Sequence, residues 1–424
     1  MQQPGAACGL NDWLAWLETL SPAEIDLGLD RVLEVLDRLH PARPERVIHV
    51  AGTNGKGSSV AMLEALFLEL DERVGTYTSP HISRYNERIR IDGQPVGDEE
   101  IVSAFERVEA ARHGLPLTYF EFGTLAAILI FETRQADVVI LEVGMGGRLD
   151  AVNAIEPDAG IISNVSLDHC DWLGDDIESI AAEKAGILRS GKPFVFGAVE
   201  VPSSIVASAK DLGAELFLLG SDFEYSPESE QTWGWSGRRL TLRNLAMPAL
   251  AGNFQLRNAA TVLALVEALR LDELIDRGLV NRAFGNLELA GRCQKIQTDR
   301  SWLLDVAHNE AAARVLGEHL SDLGSSARIV TIIGMLRDKD LTGIVSPLLE
   351  HVDDWVAVTA DGAHALPASE LAAGIANLSD KPCLIAQSLP DAMQEARSRT
   401  NAEDLILVTG SFYVVGPALE WLGA

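Results

Sequence analysis

The chain has 424 residues, 47% hydrophobic and 23% charged, a composition that excludes extensive disorder and, at roughly 100 to 200 residues per domain, points to two or three domains. Its 34 basic and 62 acidic residues leave a formal net charge of −28, which repels a phosphate backbone or an anionic bilayer and sets aside nucleic acid and membranes as partners. Cys8, Cys170, Cys293 and Cys383 are scattered without CxxC spacing and the start lacks a basic region followed by an apolar run, so reduced thiols and a cytoplasmic location are expected.

Short apolar runs rich in β-branched residues occupy 46–51, 137–143, 159–163 and 193–197, with longer helical patterns between them. That alternation predicts an α/β fold with a mostly parallel sheet flanked by helices. After the first run Val60, Leu63, Phe67 and Leu70 recur at helical spacing, so the glycine-rich stretch 52–58 joins a strand to a helix, the topology of a phosphate loop. Between 202 and 247 the pattern is irregular, and Trp233, Gly234, Trp235, Ser236 and Gly237 predict turns and short antiparallel strands at a sheet edge. Helical spacing resumes over 258–269. Strand candidates at 302–306, 329–334, 354–359, 383–387 and 405–409 then predict a second, smaller Rossmann-like α/β domain. Gly291 interrupts the pattern just before them, which sets the expected domains at residues 1–290 and 291–424.

Chemistry concentrates at the strand ends. Gly52, Thr53, Asn54, Gly55, Lys56, Gly57 and Ser58 supply backbone amides without bulky side chains at a helix start whose dipole favours phosphate, and Lys56 is positioned for the β- and γ-phosphates. The strict GxxxxGK[ST] pattern is broken, because Val50 stands at its first glycine and Gly57 follows the lysine. A GxGxxG dinucleotide reading of Gly144, Gly146 and Gly147 fails at Leu149. Ser79, Glu142 and His169 offer a hydroxyl, a carboxylate and an imidazole that suit Mg²⁺ shared with ATP oxygens, and they suit ordinary hydrogen-bonded roles as well. By itself Lys184 reads as a solvated or ion-paired lysine on a helix. Asp26, Leu27, Gly28 and Leu29 read as a helix start capped by Asp26.

The stretch AGTNGKGS at 51–58 resembles the nucleotide loop of the folylpolyglutamate synthase/dihydrofolate synthase family and its relatives, the Mur peptide ligases. Further segments match that family in order: TSPH at 78–81, EVGMGGRLDAVN at 142–153 except at Val152, DHxxxLG at 168–174 and EKAGI at 183–187. Phe254, Gln255 and Asn258, then Gly291 and Arg292, then DVAHN at 305–309 continue the match. Glu310 replaces the family's proline, and Cys293 replaces an aromatic residue, which puts the local backbone shape there in question.

The resemblance implies an ATP-dependent ligase that joins L-glutamate to dihydropteroate and to reduced folates through an acyl phosphate, working as a monomer on small molecules. It implies ATP contacts from residues 52–58, Asn258, Arg292 and Asp305, and one or two Mg²⁺ ions held by Ser58, Ser79, Glu142 and His169. Lys184 is expected to be N6-carboxylated, and Lys56, His169, Lys184, Asp305 and His308 form the expected catalytic group. The acceptor is expected beside Asp26, Leu27, Gly28 and Leu29, beside Thr118, Tyr119, Phe120 and Glu121, and beside Leu149, Asp150 and Ala151. A Mur-type peptide ligase is disfavoured by the segments DLGL and TYFE. A non-catalytic nucleotide switch explains 52–58 but not the joint presence of His169, Lys184 and Arg292.

Overall fold

The computed structural model describes residues 4–5, 8–21, 26–323, 327–362 and 364–423. The chain divides into two compact units, one of residues 1–80, 86–248 and 256–287, the other of 81–85, 249–255 and 288–424.

The first unit is built on strands β1 (Arg46–Ala51), β2 (Val74–Tyr77), β3 (Ile89–Ile91), β4 (Gln94–Pro95), β5 (Val138–Glu142), β6 (Ala159–Ile162), β7 (Pro193–Phe196) and β8 (Glu215–Leu218). Their order is β4-β3-β2-β5-β1-β6-β7-β8. All neighbours are parallel from β2 to β8, and β3 and β4 add antiparallel at one edge. Central β5 is buried at every position, as expected of a parallel strand covered on both faces. The helix Tyr119–Thr133 is likewise buried nearly all round, from Glu121 to Phe131, so its sequence shows no polar stripe. A capping box opens it: the Thr118 hydroxyl accepts the Glu121 N–H and Glu121 accepts the Thr118 N–H, a device contributing about 1 kcal/mol.

The irregular stretch resolves into two structures. The helix Ser203–Leu212 and β8 extend the parallel sheet, while β9 (Glu224–Pro227), β10 (Thr232–Ser236) and β11 (Thr241–Ala246) form a separate three-stranded antiparallel sheet. The expected antiparallel strands are therefore present, but the antiparallel edge of the large sheet is β3 and β4. Trp233 and Trp235 are buried. Their indole N–H groups donate to the carbonyls of Ala246 and Ala260 at 3.0 Å each. A register shift between Trp233 and Trp235, with Asn244 at φ 53°, marks a bulge in the β10–β11 pairing.

The second unit holds β12 (Gln294–Gln297), β13 (Ser301–Leu304), β14 (Ile329–Ile333), β15 (Asp354–Ala357), β16 (Cys383–Ile385) and β17 (Leu405–Thr409), ordered β12-β13-β17-β14-β15-β16. Only β12 is antiparallel to its neighbour. Leu303, Ile333, Trp355 and Leu407 build a core on one face, while Trp302, Ile332, Val356 and Ile406 build another on the opposite face. This is the helix-sheet-helix layering that the alternating pattern predicts. Among the described residues no helix is long and apolar enough to cross a membrane.

Candidate active site

At the carboxyl end of β1 the chain turns through residues 52–55 into the helix Lys56–Glu69. Glycine is obligatory at two points of this loop. Gly52 has φ 141°, and a Cβ there would lie 1.9 Å from the Ser163 hydroxyl; Gly55 has φ 83°, and its Cβ would lie 2.8 Å from Asn258 Oδ1. The loop is braced by the residues that follow β6. The Ser163 hydroxyl and the Asn164 amide donate to the Asn54 carbonyl at 2.6 and 2.8 Å, and the Asn54 N–H donates to Asn164 Oδ1 at 3.1 Å. The Thr53 N–H donates to the Asn164 carbonyl at 3.0 Å, and its hydroxyl exchanges hydrogen bonds with the Ser166 backbone. The Lys56 ammonium donates to the carbonyls of Gly52 and Thr53 at 3.2 and 3.3 Å.

Two expected metal residues meet beside this helix start. The Glu142 carboxylate, buried at the end of β5, accepts the Ser79 N–H on Oε2 at 3.2 Å. The same oxygen lies 3.9 Å from where a Cβ on Gly57 would stand, one residue before Ser58. His169, at φ 52°, caps the short helix Cys170–Leu173, and its imidazole is 4.0 Å from Asp168. Among the described residues no three His, Cys, Asp or Glu side chains gather as a self-sufficient metal cage. One buried carboxylate with hydroxyls nearby is the donor set of an octahedral divalent ion that completes its shell with phosphate oxygens and water. The residues therefore fit magnesium.

Lys184 overturns the bland reading of a solvated helix lysine. Its helix, Ile177–Ala185, buries Ile180, Ala181, Lys184 and Ala185 on one face, and Lys184 is only 4% exposed. The signal was available, since Lys184 stands four residues after Ile180 on the apolar stripe. Burial, reinforced by the charge of Lys56, pushes its ammonium down to about 7, against the opposing pull of Asp168 and Asp150. Close packing brings the helix end to the strand-end loop: a Cβ on Gly147 would lie 2.8 Å from the Glu183 carbonyl, and one on Gly186 would lie 2.4 Å from the Arg148 Cα. The Asn153 amide donates to the carbonyls of Arg148 and Gly186 at 3.1 Å each. Asp150 is buried beneath this loop and accepts the N–H groups of Met145 and Val152 at 2.8 and 3.0 Å. Burial nevertheless pushes its carboxyl up to about 7.

The expected acceptor segments also converge within the first unit. Leu29, not Asp26, is the N-cap of the helix Asp30–Leu39, and no side chain caps it. Asp26 instead pairs with Arg31 at 2.8 Å, and Arg31 pairs with Glu121 at 2.9 Å. Asp26 is thus too far back to cap, and its charge is used across the segment. Phe120 underlies the strand-end loop, 2.7 Å from where a Cβ on Gly144 would stand, and its ring centroid is 5.7 Å from that of Tyr77. Tyr119 lies under the Arg88 guanidinium at 5.4 Å. Leu149 is half-buried, and Ala151 is buried at the start of the 3-10 turn Ala151–Ala154.

In the second unit the expected residues cluster at strand ends. Asp305, buried just beyond β13, accepts the Cys293 N–H at 2.8 Å, its S–H at 3.3 Å and the Ala307 N–H at 2.9 Å. Burial raises the Asp305 carboxyl, while Arg292 opposes that rise. Cys293 takes φ 46°, so the departure from an aromatic residue is accommodated by a small side chain bonded to Asp305. Burial and the Asp305 charge push its thiol up. Glu310 begins the helix Glu310–Asp322 under an Asn309 cap and pairs with Arg314 at 2.6 Å, so a first-turn acid replaces proline. Phe412 went unrecognised in the sequence: the Arg292 guanidinium lies over its ring at 5.3 Å and the His308 ring is 5.6 Å away.

Known proteins share this organisation. The Mur ligase middle domain matches residues 50–266, and the Mur ligase glutamate ligase domain matches residues 291–412. The dihydrofolate synthase/folylpolyglutamate synthase of Escherichia coli (strain K12) is 40% identical over 422 residues, covering 99% of this chain and 97% of its own length. The structure of E. coli FolC in complex with DHPP and ADP superposes with a TM-score of 0.94 at 39% identity, over 99% of each chain. The bifunctional folylpolyglutamate synthase/dihydrofolate synthase from Yersinia pestis, complexed with AMPPNP and Mn ion, gives 0.92 at 38% identity over all of both chains.

Proposed function

The chain belongs to the dihydrofolate synthase/folylpolyglutamate synthase family of Mur-type ligases, and from that premise we propose that it joins L-glutamate to dihydropteroate and to the γ-carboxyl of reduced folates, consuming ATP. The observation that supports this most is the end-to-end likeness to relatives of that name.

In this reading an acceptor carboxylate oxygen attacks the γ-phosphorus of ATP, the bond to the β-phosphate oxygen breaks and ADP departs. The amine of glutamate then adds to the acyl carbon, loses a proton and expels phosphate. Residues 52–58 cradle the triphosphate with backbone N–H groups. Lys56 neutralises charge gathering on the transferred phosphoryl group, an effect worth most where water is excluded. Ser58, Ser79, Glu142 and His169 would hold magnesium, which when bound supplies electrostatic stabilisation of the phosphate oxygens. Asn258, Arg292 and Asp305 bind ATP, and His308 acts near the phosphate or the incoming glutamate. The first domain, residues 1–290, holds the acceptor, and residues 291–424 form the second.

Lys184 is N6-carboxylated in this reading. A neutral amine adds to carbon dioxide, forming an N–C bond and releasing a proton, and a lysine held near 7 offers that neutral form at physiological pH. Carbon-13 NMR of protein equilibrated with labelled bicarbonate should show one carbamate signal that vanishes in Lys184→Ala. We place the enzyme in the cytoplasm as a monomer.

Phosphate release tests the activity. ATP should be consumed only when glutamate and an acceptor are both supplied, with products identified by mass for dihydropteroate and a reduced folate separately. Phosphate release indifferent to both would leave a nucleotide switch, and inertness toward every pteroate and folate would remove the substrate assignment.

A further inference from the structure

We propose that Arg31 is the positioning residue of the acceptor site, a guanidinium clasp that fastens residues 26–29 to the start of the helix Tyr119–Thr133. The proposal rests on the acceptor reading above, which assigns both segments to the folate-type substrate.

All three guanidinium nitrogens of Arg31 make contacts across this join. Nη1 lies 2.8 Å from Asp26 Oδ2, and Nη2 donates to the Asp26 carbonyl at 2.7 Å and to Glu121 Oε1 at 2.9 Å. Nε donates to Glu121 Oε2 at 3.4 Å. The fork of the guanidinium lets one side chain hold two segments 90 residues apart in sequence, which a lysine ammonium cannot reproduce in the same geometry.

Glu121 is the fixed end. Its side chain is only 5% exposed, and Oε2 also accepts the Thr118 N–H at 2.7 Å in the capping box. The carboxylate that begins the TYFE helix is therefore the same one that receives Arg31. Asp26 is the movable end, with its side chain half exposed. Among the described residues no strand pairs with 26–29, and the guanidinium is a polar anchor between them and the helix start. The helix that Arg31 belongs to, Asp30–Leu39, also packs on the turn Ala151–Ala154, which begins at the last residue of the third expected acceptor segment. Arg31 thus joins two of the segments directly, and its helix touches the turn that follows the third.

Such a clasp acts through the segment it holds. Its removal should weaken acceptor binding and leave the nucleotide steps alone, whereas a residue that only stabilises the fold would lower all activity together. In Arg31→Ala, the KM for dihydropteroate should rise at least about tenfold, with the KM values for ATP and glutamate and the kcat held within about twofold. Arg31→Lys should recover only part of that loss. Asp26→Asn, which leaves Glu121 and its cap paired with Arg31, should move the same KM less, and it keeps the test open if Arg31→Ala does not fold. An unchanged acceptor KM, or a KM for ATP that rises in step with it, would overturn the assignment.

Hydrogen exchange of the ligand-free full chain separates the clasp from the chemistry. The amides of residues 26–31 should exchange faster in Arg31→Ala than in the wild type, with the helix Lys56–Glu69 unchanged. Equal exchange over 26–31 would overturn the clasp whatever the kinetics show. A wild type inert toward every pteroate and folate would remove the acceptor reading instead, while the exchange comparison would still decide whether Arg31 holds the segment.

Discussion

In the first unit two of the cations near the strand ends are lysines: Lys56 rests on two loop carbonyls, and Lys184 is buried with its ammonium pushed down to about 7. In the second unit the cation is Arg292, laid over the Phe412 ring and facing the buried Asp305. A guanidinium keeps its charge throughout the accessible pH range, and the aromatic face beneath it does not titrate. A desolvated ammonium changes state near neutrality. Proton dependence of the cations should therefore reside in the first unit, with Arg292 of the second supplying charge that does not vary.

Four substitutions can break or sharpen that contrast. Lys56→Met should give the largest effect, a fall in kcat on the order of 10²- to 10³-fold in steady-state phosphate release, with the fold intact by circular dichroism. A fall confined to KM would mean that Lys56 serves binding alone. Gly52→Ala comes next. A side chain at φ 141° pressed against Ser163 should cost about 1 to 3 kcal/mol and lower the Tm, together with ATP affinity; an unshifted melting curve would show the loop to be softer than its contacts indicate.

Lys184→Met tests the pH contrast directly. Between its folded value of about 7 and the ordinary 10.5, the unfolded chain holds a proton that the folded chain has released. Stability of the wild type should rise with pH across that window by at most about 1.4 kcal/mol per unit relative to Lys184→Met. The burial penalty is fully present below about pH 7, so the variant should be the more stable protein there. Urea unfolding at pH 6, 8 and 10 in carbonate-free buffer measures the difference, and parallel pH profiles would show that Lys184 titrates normally. The smallest effect belongs to Phe412→Leu. Loss of a partly exposed cation–π contact of about 0.5 to 1 kcal/mol should raise the KM for ATP about two- to fivefold, equally at pH 7 and pH 9. A pH-dependent rise would contradict an invariant charge at Arg292.

Much of the fold was legible because parallel strands buried on both faces leave long apolar runs, as at 137–143 and 405–409. Val74–Tyr77 escaped notice, since four residues carry too little pattern. The loop at 52–58 announced itself because close approach to Ser163 and Asn258 demands glycine, and glycines are visible in a sequence. Its brace was less visible. Ser163, Asn164 and Ser166 make the supporting hydrogen bonds, and their only sequence signal is that they follow a parallel strand. Arg31 gave no local signal at all, because its partner lies 90 residues away. The misreading of Asp26 has the same origin, since a local cap was inferred where the charge is used at long range. Lys184 could have been recognised by its place on the stripe of Ile180 and Ala181, had the apolar face been weighed above the residue's usual preference for solvent.

The bond from the Trp235 indole to the Ala260 carbonyl makes the molecule its own reporter. Ala260 lies two residues along the helix Phe254–Ala268 from Asn258, which faces Gly55 of the loop. An indole on β10 that is bonded to this helix should change its emission when the helix shifts. A difference spectrum between the wild type and Trp235→Phe would then follow occupancy of the loop in real time, with no dye attached.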